Sequence, residues 1–449
     1  MSRLFGTDGV RGIANQELTA SLAHKLGKAG AHILKKNENR PVVLIGKDTR
    51  ISGDMLEDAL SAGILSMGGN VIKAGVLPTP AVAYLVRQFG ADAGVVISAS
   101  HNSFEHNGIK LFNGDGYKLD DNLEEEIEDI IARDLDISSH ITGDRLGRVL
   151  QPKEDAEGLY ADFLKSTVDA DLSGMSVVID CANGAASRIA ERVLTDLGMR
   201  LRVIHNEPDG VNINKNCGST HPGDLQEAVR REGAALGLAF DGDADRLIAV
   251  DELGRIVDGD RIMYICAKML KDRGELPFDL VTTTVMSNLG FHRAIESLGL
   301  QADITQVGDR YVLERMLDTG CVIGGEQSGH IIFRKHTTTG DGILSALQLL
   351  QACRMDGRPL SAMADDVVLY PQVLKNVKVR NENKKYLDKD REVARAIVEA
   401  EQKLGRNGRI LIRPSGTEPL VRVMIEGEKL DEIEMMAETL ARLIARNLG

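Results

Sequence analysis

Three segments of the chain repeat one order of elements, and that repetition limits the fold more than any other feature. "RPVVLIGKDTR" (40–50) is an apolar strand pattern ending in polar turn residues, and it runs into an amphipathic helix, "SGDMLEDALSAGILSMG". "MSVVIDCANGAAS" (175–187) and "FDLVTTTVMSN" (278–288) follow the same plan, with "RIAERVLTDLG" and "LGFHRAIESLG" as their helices. Each helix then leads to another short apolar run: "NVIKAGVL", "MRLRVIHN" and "LQADITQV". Strand, helix, strand at this spacing predicts βαβ units in doubly wound, mostly parallel sheets. The copies lie roughly a hundred residues apart, an ordinary domain length, although identity between them is negligible.

After about residue 370 the order changes. "PQVLKNVKVR", "GRILIRP" and "LVRVMIEG" read as strands, and "DREVARAIVEAEQKLG" and "LDEIEMMAETLARLIARNL" as helices. The expected fold is therefore three similar doubly wound α/β domains with mixed, mostly parallel sheets, followed by a smaller C-terminal α+β domain. The boundaries fall where charged or Gly-containing stretches break the pattern, giving domains at 1–150, 151–253, 254–368 and 369–449.

Composition narrows the function. A chain of 449 residues exceeds what one core supports. The formal net charge of −13 lacks the basic footprint of a duplex binder, and 4% aromatic residues with no Trp argue against a base-stacking surface. The five cysteines form no C-x-x-C pair, which suits reduced thiols rather than a disulfide framework or a zinc site. The opening "MSRLFGTDGVRG" lacks the apolar core of a signal peptide, and no apolar run approaches the ~20 residues of a membrane helix. The expectation is a soluble cytoplasmic protein with no nucleic-acid and no membrane partner.

Three motifs carry chemistry. In "AFDGDADRLIAVDE" (239–252), Asp241, Asp243 and Asp245 alternate at a strand end, so three carboxylates converge on one point. Such a cluster repels itself unless a cation sits within it, and all-oxygen donors favour Mg²⁺ over zinc or copper. An EF-hand does not fit, because position 6 of the loop is Arg246 where glycine is needed, and Arg246 instead suits an anionic group nearby. In "RILIRPSGTEPLVRV" (409–423), Arg413, Ser415, Gly416, Thr417 and Arg422 gather around a turn between two strands, a combination of hydroxyls, forked charge and exposed backbone that suits phosphate. In "VIGGEQSGHIIF" (322–333), Glu326, Ser328 and His330 interrupt an apolar pattern and suit neutral hydroxyls such as those of a sugar.

"VVISASHNSFEHNGIK" (95–110) ends an apolar strand at Ser100 and His101. A Ser–His hydrolase is a poor fit, since adjacent side chains diverge and no G-x-S-x-G elbow surrounds Ser100. The region does offer cations: Lys110, Arg11 in "GTDGVRG", and Lys47 with Arg50 in "GKDTR". Beside metal-binding carboxylates and anion-binding arginines, Ser100 reads as a carrier of phosphate, with His101 supporting the loop.

These motifs, in this order, resemble the α-D-phosphohexomutase superfamily over essentially the whole chain. Matching stretches include "RLFGTDGVRG", "SASHN", "NGIK", "GLAFDGDADRLIAVDE", "VMSNLGF", "VGDRYV", "GGEQSGH", "TTGDG" and "RPSGTEPLVRV". Gln327 in "EQSGH", with the opening "LFGTDGVRG", is similar to the glucosamine branch, as against mutases for glucose or mannose phosphates. The resemblance implies four domains around a central cleft, with a mobile fourth domain. It implies interconversion of glucosamine 6-phosphate and glucosamine 1-phosphate, feeding UDP-N-acetylglucosamine and cell-wall precursor synthesis. By it, Ser100 is the phosphoserine, and Asp241, Asp243 and Asp245 bind one Mg²⁺ with the phosphoseryl oxygen. Arg11 and Lys110 attend the transferring group, with Lys110 a candidate in proton transfer. Glu326, Ser328 and His330 bind sugar, and Arg413, Ser415, Gly416, Thr417 and Arg422 hold the other phosphate. A hexosamine or hexose 1,6-bisphosphate serves as intermediate and activator, the partner is a small phosphosugar, and a homodimer is compatible. A non-catalytic phosphosugar-binding regulator is the rival from another class. Two positions depart from the superfamily pattern: Ser103 stands where proline is usual and Ala244 where glycine is usual.

Overall fold

The computed structural model describes residues 4–6, 8–34, 40–134, 137, 141–152, 154–415 and 419–449. The first sheet contains β1 (Val10–Ile13), β2 (Val42–Lys47), β3 (Asn70–Val76), β4 (Ala93–Ile97), β5 (His106–Asn113) and β6 (Val149–Leu150), in the order β1-β5-β4-β2-β3-β6. The second contains β7 (Ser176–Asp180), β8 (Arg200–Ile204), β9 (Leu236–Phe240), β10 (Leu247–Asp251) and β11 (Ile256–Val257), in the order β11-β10-β9-β7-β8. The third contains β12 (Leu280–Thr284), β13 (Gln301–Thr305), β14 (Ile323–Gly325) and β15 (Ile331–Phe333), in the order β13-β12-β14-β15.

The expected triplication is present. Its common order is β5-β4-β2-β3 in the first sheet, β10-β9-β7-β8 in the second and β15-β14-β12-β13 in the third. The predicted βαβ units are β2–β3, β7–β8 and β12–β13, joined through the helices Gly53–Ser66, Ala186–Asp196 and Leu289–Ser297. Each repeat then adds a strand parallel to the first of its unit, followed by an antiparallel neighbour: β4 then β5, β9 then β10, β14 then β15. The parallel centres are apolar and buried, as strands covered on both faces must be.

The fourth sheet, β16 (Gln372–Lys378), β17 (Gly408–Pro414) and β18 (Leu420–Gly427), is antiparallel with β18 in the middle. Its apolar face packs against the helices Arg391–Leu404 and Leu430–Leu448 through Val421, Val423, Ile425, Val393, Ile433 and Leu440. The described residues form two compact units. One spans 4–284 and 303–364; the other spans 285–302 and 365–449. In the second unit the helix Leu289–Ser297 is tied to the C-terminal sheet, since Glu426 accepts from Leu289 N at 3.1 Å and from Asn288 Nδ2 at 3.3 Å. No helix among the described residues is long and apolar enough to cross a membrane.

In the first repeat the helices Ala20–Leu34 and Gly53–Ser66 approach through glycine. A Cβ on Gly27 would lie 2.3 Å from the carbonyl oxygen of Leu60, and one on Gly63 would lie 2.2 Å from that of His24. Backbone cannot yield there as a flexible side chain would. Gly63→Val should therefore destabilise the protein by about 2 kcal/mol through overpacking. A lowered urea midpoint is the readout, and an unchanged midpoint would contradict this close approach.

Candidate active site

Ser100 sits in the β4–β5 connection with φ +52°, a left-handed conformation that costs an L-residue roughly 1–2 kcal/mol. The loop is held in that shape by buried donors. Arg50 donates from Nη2 to the carbonyls of Ser100 and Asn102, each at 2.9 Å, and from Nη1 to that of Ser103. Asn214 Nδ2 donates to the Ser100 and Asn102 carbonyls, again at 2.9 Å. Asp48 accepts from Arg50 Nε at 2.9 Å and from Ser98 Oγ at 2.6 Å, and Ser98 Oγ in turn accepts from Ser100 N at 2.9 Å. Arg50, read from sequence as a cation for an anion, is thus spent on backbone carbonyls. Lys47 is likewise engaged, with Asp54 and Glu57 at 2.6 Å.

The Ser100 hydroxyl donates to Asp241 Oδ2 at 2.6 Å. His101 Nδ1 lies 3.4 Å from Ser100 Oγ. Burial, with Arg246 and Arg11 beside it, pushes the His101 imidazole down to about 4, so it is neutral at pH 7. The serine proton therefore points to a carboxylate, and the adjacent histidine is a neighbour of the hydroxyl.

Asp241, Asp243 and Asp245 occupy the β9–β10 connection, all buried, each offering an oxygen within 4.8 Å of the others'. The turn between them requires Ala244 at φ +54°, which explains why glycine suits this position. Burial, then Asp245 and Asp243, hold the Asp241 carboxyl well above the usual range. Asp245 is held below that range, because Lys110, His330 and Arg246 overcome the effect of burial. Asp243 Oδ1 and Asp245 Oδ1 are shielded from solvent and accept no hydrogen bond. Unsatisfied buried carboxylate oxygens are costly and rare, and three hard oxygens converging from one loop fit a divalent cation of the Mg²⁺ type.

Lys110, projecting from β5, is fully buried, with Nζ 2.8 Å from Asp243 Oδ2, 3.0 Å from Asp8 Oδ2 and 3.8 Å from Asp245 Oδ2. Burial alone would lower its pKa, but Asp243, Asp8 and Asp245 raise it above the lysine range. Arg11 pairs with Asp8, and its Nε makes no hydrogen bond. Arg246 lies 3.7 Å from Asp245 Oδ1.

The third motif is the β14–β15 hairpin. His330 is buried; Gly340 N donates to its Nε2 at 3.0 Å, so Nδ1 carries the proton and faces Asp245 Oδ2 at 3.5 Å. Glu326 Oε1 accepts from Gly308 N at 3.0 Å, Gln327 Nε2 donates to Asp258 at 3.2 Å, and Ser328 is exposed. The structure thus brings Ser100, His101, Lys110, Arg11, the three aspartates, Arg246 and His330 into one network. Asp8, Lys118, Asp309 and Thr79 also belong to it and were not expected. Asp8 accepts from Lys118 at 2.6 Å, Lys118 pairs with Asp309, Asp309 lies 3.6 Å from His330, and Thr79 Oγ1 donates to Asp243 at 2.6 Å. Asp8 and Asp309 lie beside glycine in "GTDGVRG" and "VGDRYV", a signal that could have marked them.

In the second unit, Arg413 and Arg422 are directly opposed across β17 and β18. Burial and the neighbouring Arg422 lower the Arg413 pKa. Like charges in register destabilise a bare hairpin, so the pair suits an anion. Ser415 is buried beside them, its carbonyl accepting from Lys384 Nζ at 2.8 Å. Gly416 and Thr417 lie outside the described residues.

Residues 2–137, 159–254, 258–370 and 374–443 match, in order, domains I, II, III and the C-terminal domain of phosphoglucomutase/phosphomannomutase. These four matches define the class. A protein named phosphoglucosamine mutase from Clostridium novyi is 55% identical over 444 residues, covering 99% of each chain. A phosphoglucomutase/phosphomannomutase family protein from Burkholderia thailandensis superposes with TM-score 0.85 at 23% identity, covering 100% of this chain and 99% of its own. An N-acetylphosphoglucosamine mutase from Aspergillus fumigatus, in complex with GlcNAc-6P and magnesium, superposes with TM-score 0.69 at 18% identity, covering 99% and 95%. The chain belongs to the phosphoglucosamine mutase family of the α-D-phosphohexomutase superfamily and is an isomerase, an intramolecular phosphotransferase.

Arg50→Lys keeps the charge but cannot span Asp48 and three carbonyls. Misplacing Ser100 by about 1 Å should lower kcat about 100-fold. Unaltered kcat in a folded Arg50→Lys protein would remove Arg50 from the positioning of Ser100.

Proposed function

We propose that the chain interconverts glucosamine 6-phosphate and glucosamine 1-phosphate through a phosphorylated Ser100 and a 1,6-bisphosphate intermediate. The observation that carries this reading is the 2.6 Å hydrogen bond from Ser100 Oγ to Asp241. It sets a buried hydroxyl at the rim of a three-carboxylate cluster, where a phosphoryl group on the serine would meet a bound cation. A hydrolase would send that proton to an imidazole. The identity to a protein named phosphoglucosamine mutase supports the choice of amino sugar.

In the first half-reaction the free hydroxyl oxygen of the substrate bonds to phosphorus as the P–Oγ bond of Ser100 breaks, and the proton lost from that hydroxyl ends on Ser100 Oγ. The intermediate turns over, and its other phosphoryl group returns to Ser100, so the phosphate count of enzyme plus sugar is conserved. Asp241, Asp243 and Asp245 would hold Mg²⁺, which supplies positive charge to the oxygens of the transferring group. Arg11 and the Lys110 ammonium add charge beside it. Glu326, Ser328 and His330 recognise sugar hydroxyls. Arg413, Ser415, Gly416, Thr417 and Arg422 hold the phosphate that is not reacting. One such loop lies in each of the four matched domains, and the product serves cytoplasmic UDP-N-acetylglucosamine and cell-wall precursor synthesis.

Turnover of glucosamine 6-phosphate, with intact mass recorded on the same preparation, tests this reading. The expected result is one phosphoryl group per active chain, lost in Ser100→Ala together with turnover. Comparable kcat/KM on glucose or mannose phosphates would assign a different substrate. Near-normal activity in Ser100→Ala would remove phosphoserine from the account. Asp243→Asn should lower Mg²⁺-supported kcat by about 10²–10³, and catalysis that persists in a chelator would contradict the metal assignment.

A further inference from the structure

The second repeat carries a separate cluster with different donor chemistry. Asp180 at the end of β7, His205 just after β8, and Cys217 each offer a ligand atom within 4.8 Å of the others'. Asp180 and Cys217 are fully buried, while the His205 side chain is 26% exposed and opens the cluster to solvent. His205 Nδ1 is shielded and makes no hydrogen bond of acceptable geometry, although it lies 3.1 Å from Asp180 Oδ2. Its other nitrogen, Nε2, faces Asp224 Oδ2 at 3.2 Å.

We propose that Asp180, His205 and Cys217 form a second cation site, selective for a transition metal of the zinc type, with Asp224 as the outer partner of the histidine. One sulfur, one imidazole nitrogen and one carboxylate oxygen are the mixed donor set that such ions take, whereas Mg²⁺ takes oxygen alone. Bonds of about 2.0–2.3 Å to a tetrahedral ion set donors roughly 3.3–3.8 Å apart, and the three donors here already lie within 4.8 Å of one another. A carboxylate on the far nitrogen of a ligating histidine fixes the tautomer that leaves the near nitrogen free to bind. Asp180 is itself oriented by Ala182 N and Gly218 N, each donating at 2.9 Å, and keeps further lone pairs for a metal. On binding, the metal–sulfur bond replaces the S–H bond and the thiol proton leaves to solvent. Burial, with Asp180 and Asp224, pushes that thiol up to about 12, so it stays protonated until a cation arrives.

The position gives the site a consequence for the serine loop. His205 O accepts from Asn183 N at 2.7 Å, and Asn183 O accepts from Thr49 Oγ1 at 2.6 Å. Ala182 O accepts from Asn214 N at 2.9 Å, and the Asn214 side chain holds the Ser100 carbonyl. A metal joining the ends of β7 and β8 to Cys217 therefore braces the segments that hold Ser100. The inference does not depend on the reaction assigned above.

Cobalt(II) tests it, because a thiolate–cobalt charge-transfer band reports sulfur ligation and the aspartate triad contains no sulfur. The enzyme, saturated with Mg²⁺, is titrated with Co²⁺ and then with Zn²⁺. One Co²⁺ per chain should produce the band, and Zn²⁺ should displace it. Cys217→Ser should abolish the band, and Asp224→Asn should weaken Co²⁺ binding about 10-fold while keeping it at saturation. Asp224 is largely exposed, so its substitution carries the test if Cys217→Ser does not fold. Absence of the band in the unaltered enzyme, its persistence in Cys217→Ser, or unchanged affinity in Asp224→Asn would overturn the proposal.

Discussion

A closed ring of carboxylates and lysines, bridged on one side by the His330 imidazole, holds the site of the first unit together. Asp8 faces Lys110, Lys110 faces Asp243 and Asp245, Asp245 faces His330, His330 faces Asp309, and Lys118 joins Asp309 back to Asp8. Most of these groups are buried, where an isolated charge is expensive and a paired one is tolerated only with good geometry. The members come from all three repeats: Asp8, Lys110 and Lys118 from the first, the aspartates from the second, Asp309 and His330 from the third. Each charge is thus the condition for burying its neighbours. The ring also leaves two carboxylate oxygens unmet, Asp243 Oδ1 and Asp245 Oδ1, within the cluster that could hold a cation.

The repeats explain why the functional loops recur. Ser100, the three aspartates and the Glu326–His330 segment occupy the same topological place, the antiparallel connection that follows the βαβ unit. The Arg413–Arg422 pair likewise flanks a hairpin, β17 to β18. Across the three repeats one architectural position therefore carries three different side-chain sets: the Ser100 hydroxyl, three carboxylates, and Glu326 with Ser328 and His330.

The βαβ units and the strands and helices of the C-terminal region were legible in the sequence, because their periodicity is local. The aspartate cluster was legible too, since its members lie within five residues. The charge ring was not: Lys110 meets Asp243 across 133 positions and Lys118 meets Asp309 across 191, and no local pattern encodes such pairings. Arg50 was misread for the same reason, its carbonyl partners lying 50 or more residues away. Those contacts also account for Ser103. Its carbonyl is gripped by Arg50, so the serine loop has a restraint that does not depend on a proline ring.

The helix Leu289–Ser297 belongs to the third repeat by chain order and to the C-terminal unit by packing. Its first turn relies on Glu426, a buried carboxylate that also accepts from Arg409 at 2.6 Å. The chain therefore passes between the two units three times, near residues 284, 302 and 364. As a matter of modularity, the C-terminal unit is not a detachable cassette. A truncation after residue 364 would strand a helix without its capping acid, and a transplanted 365–449 segment would carry a buried glutamate whose backbone donor had been left behind.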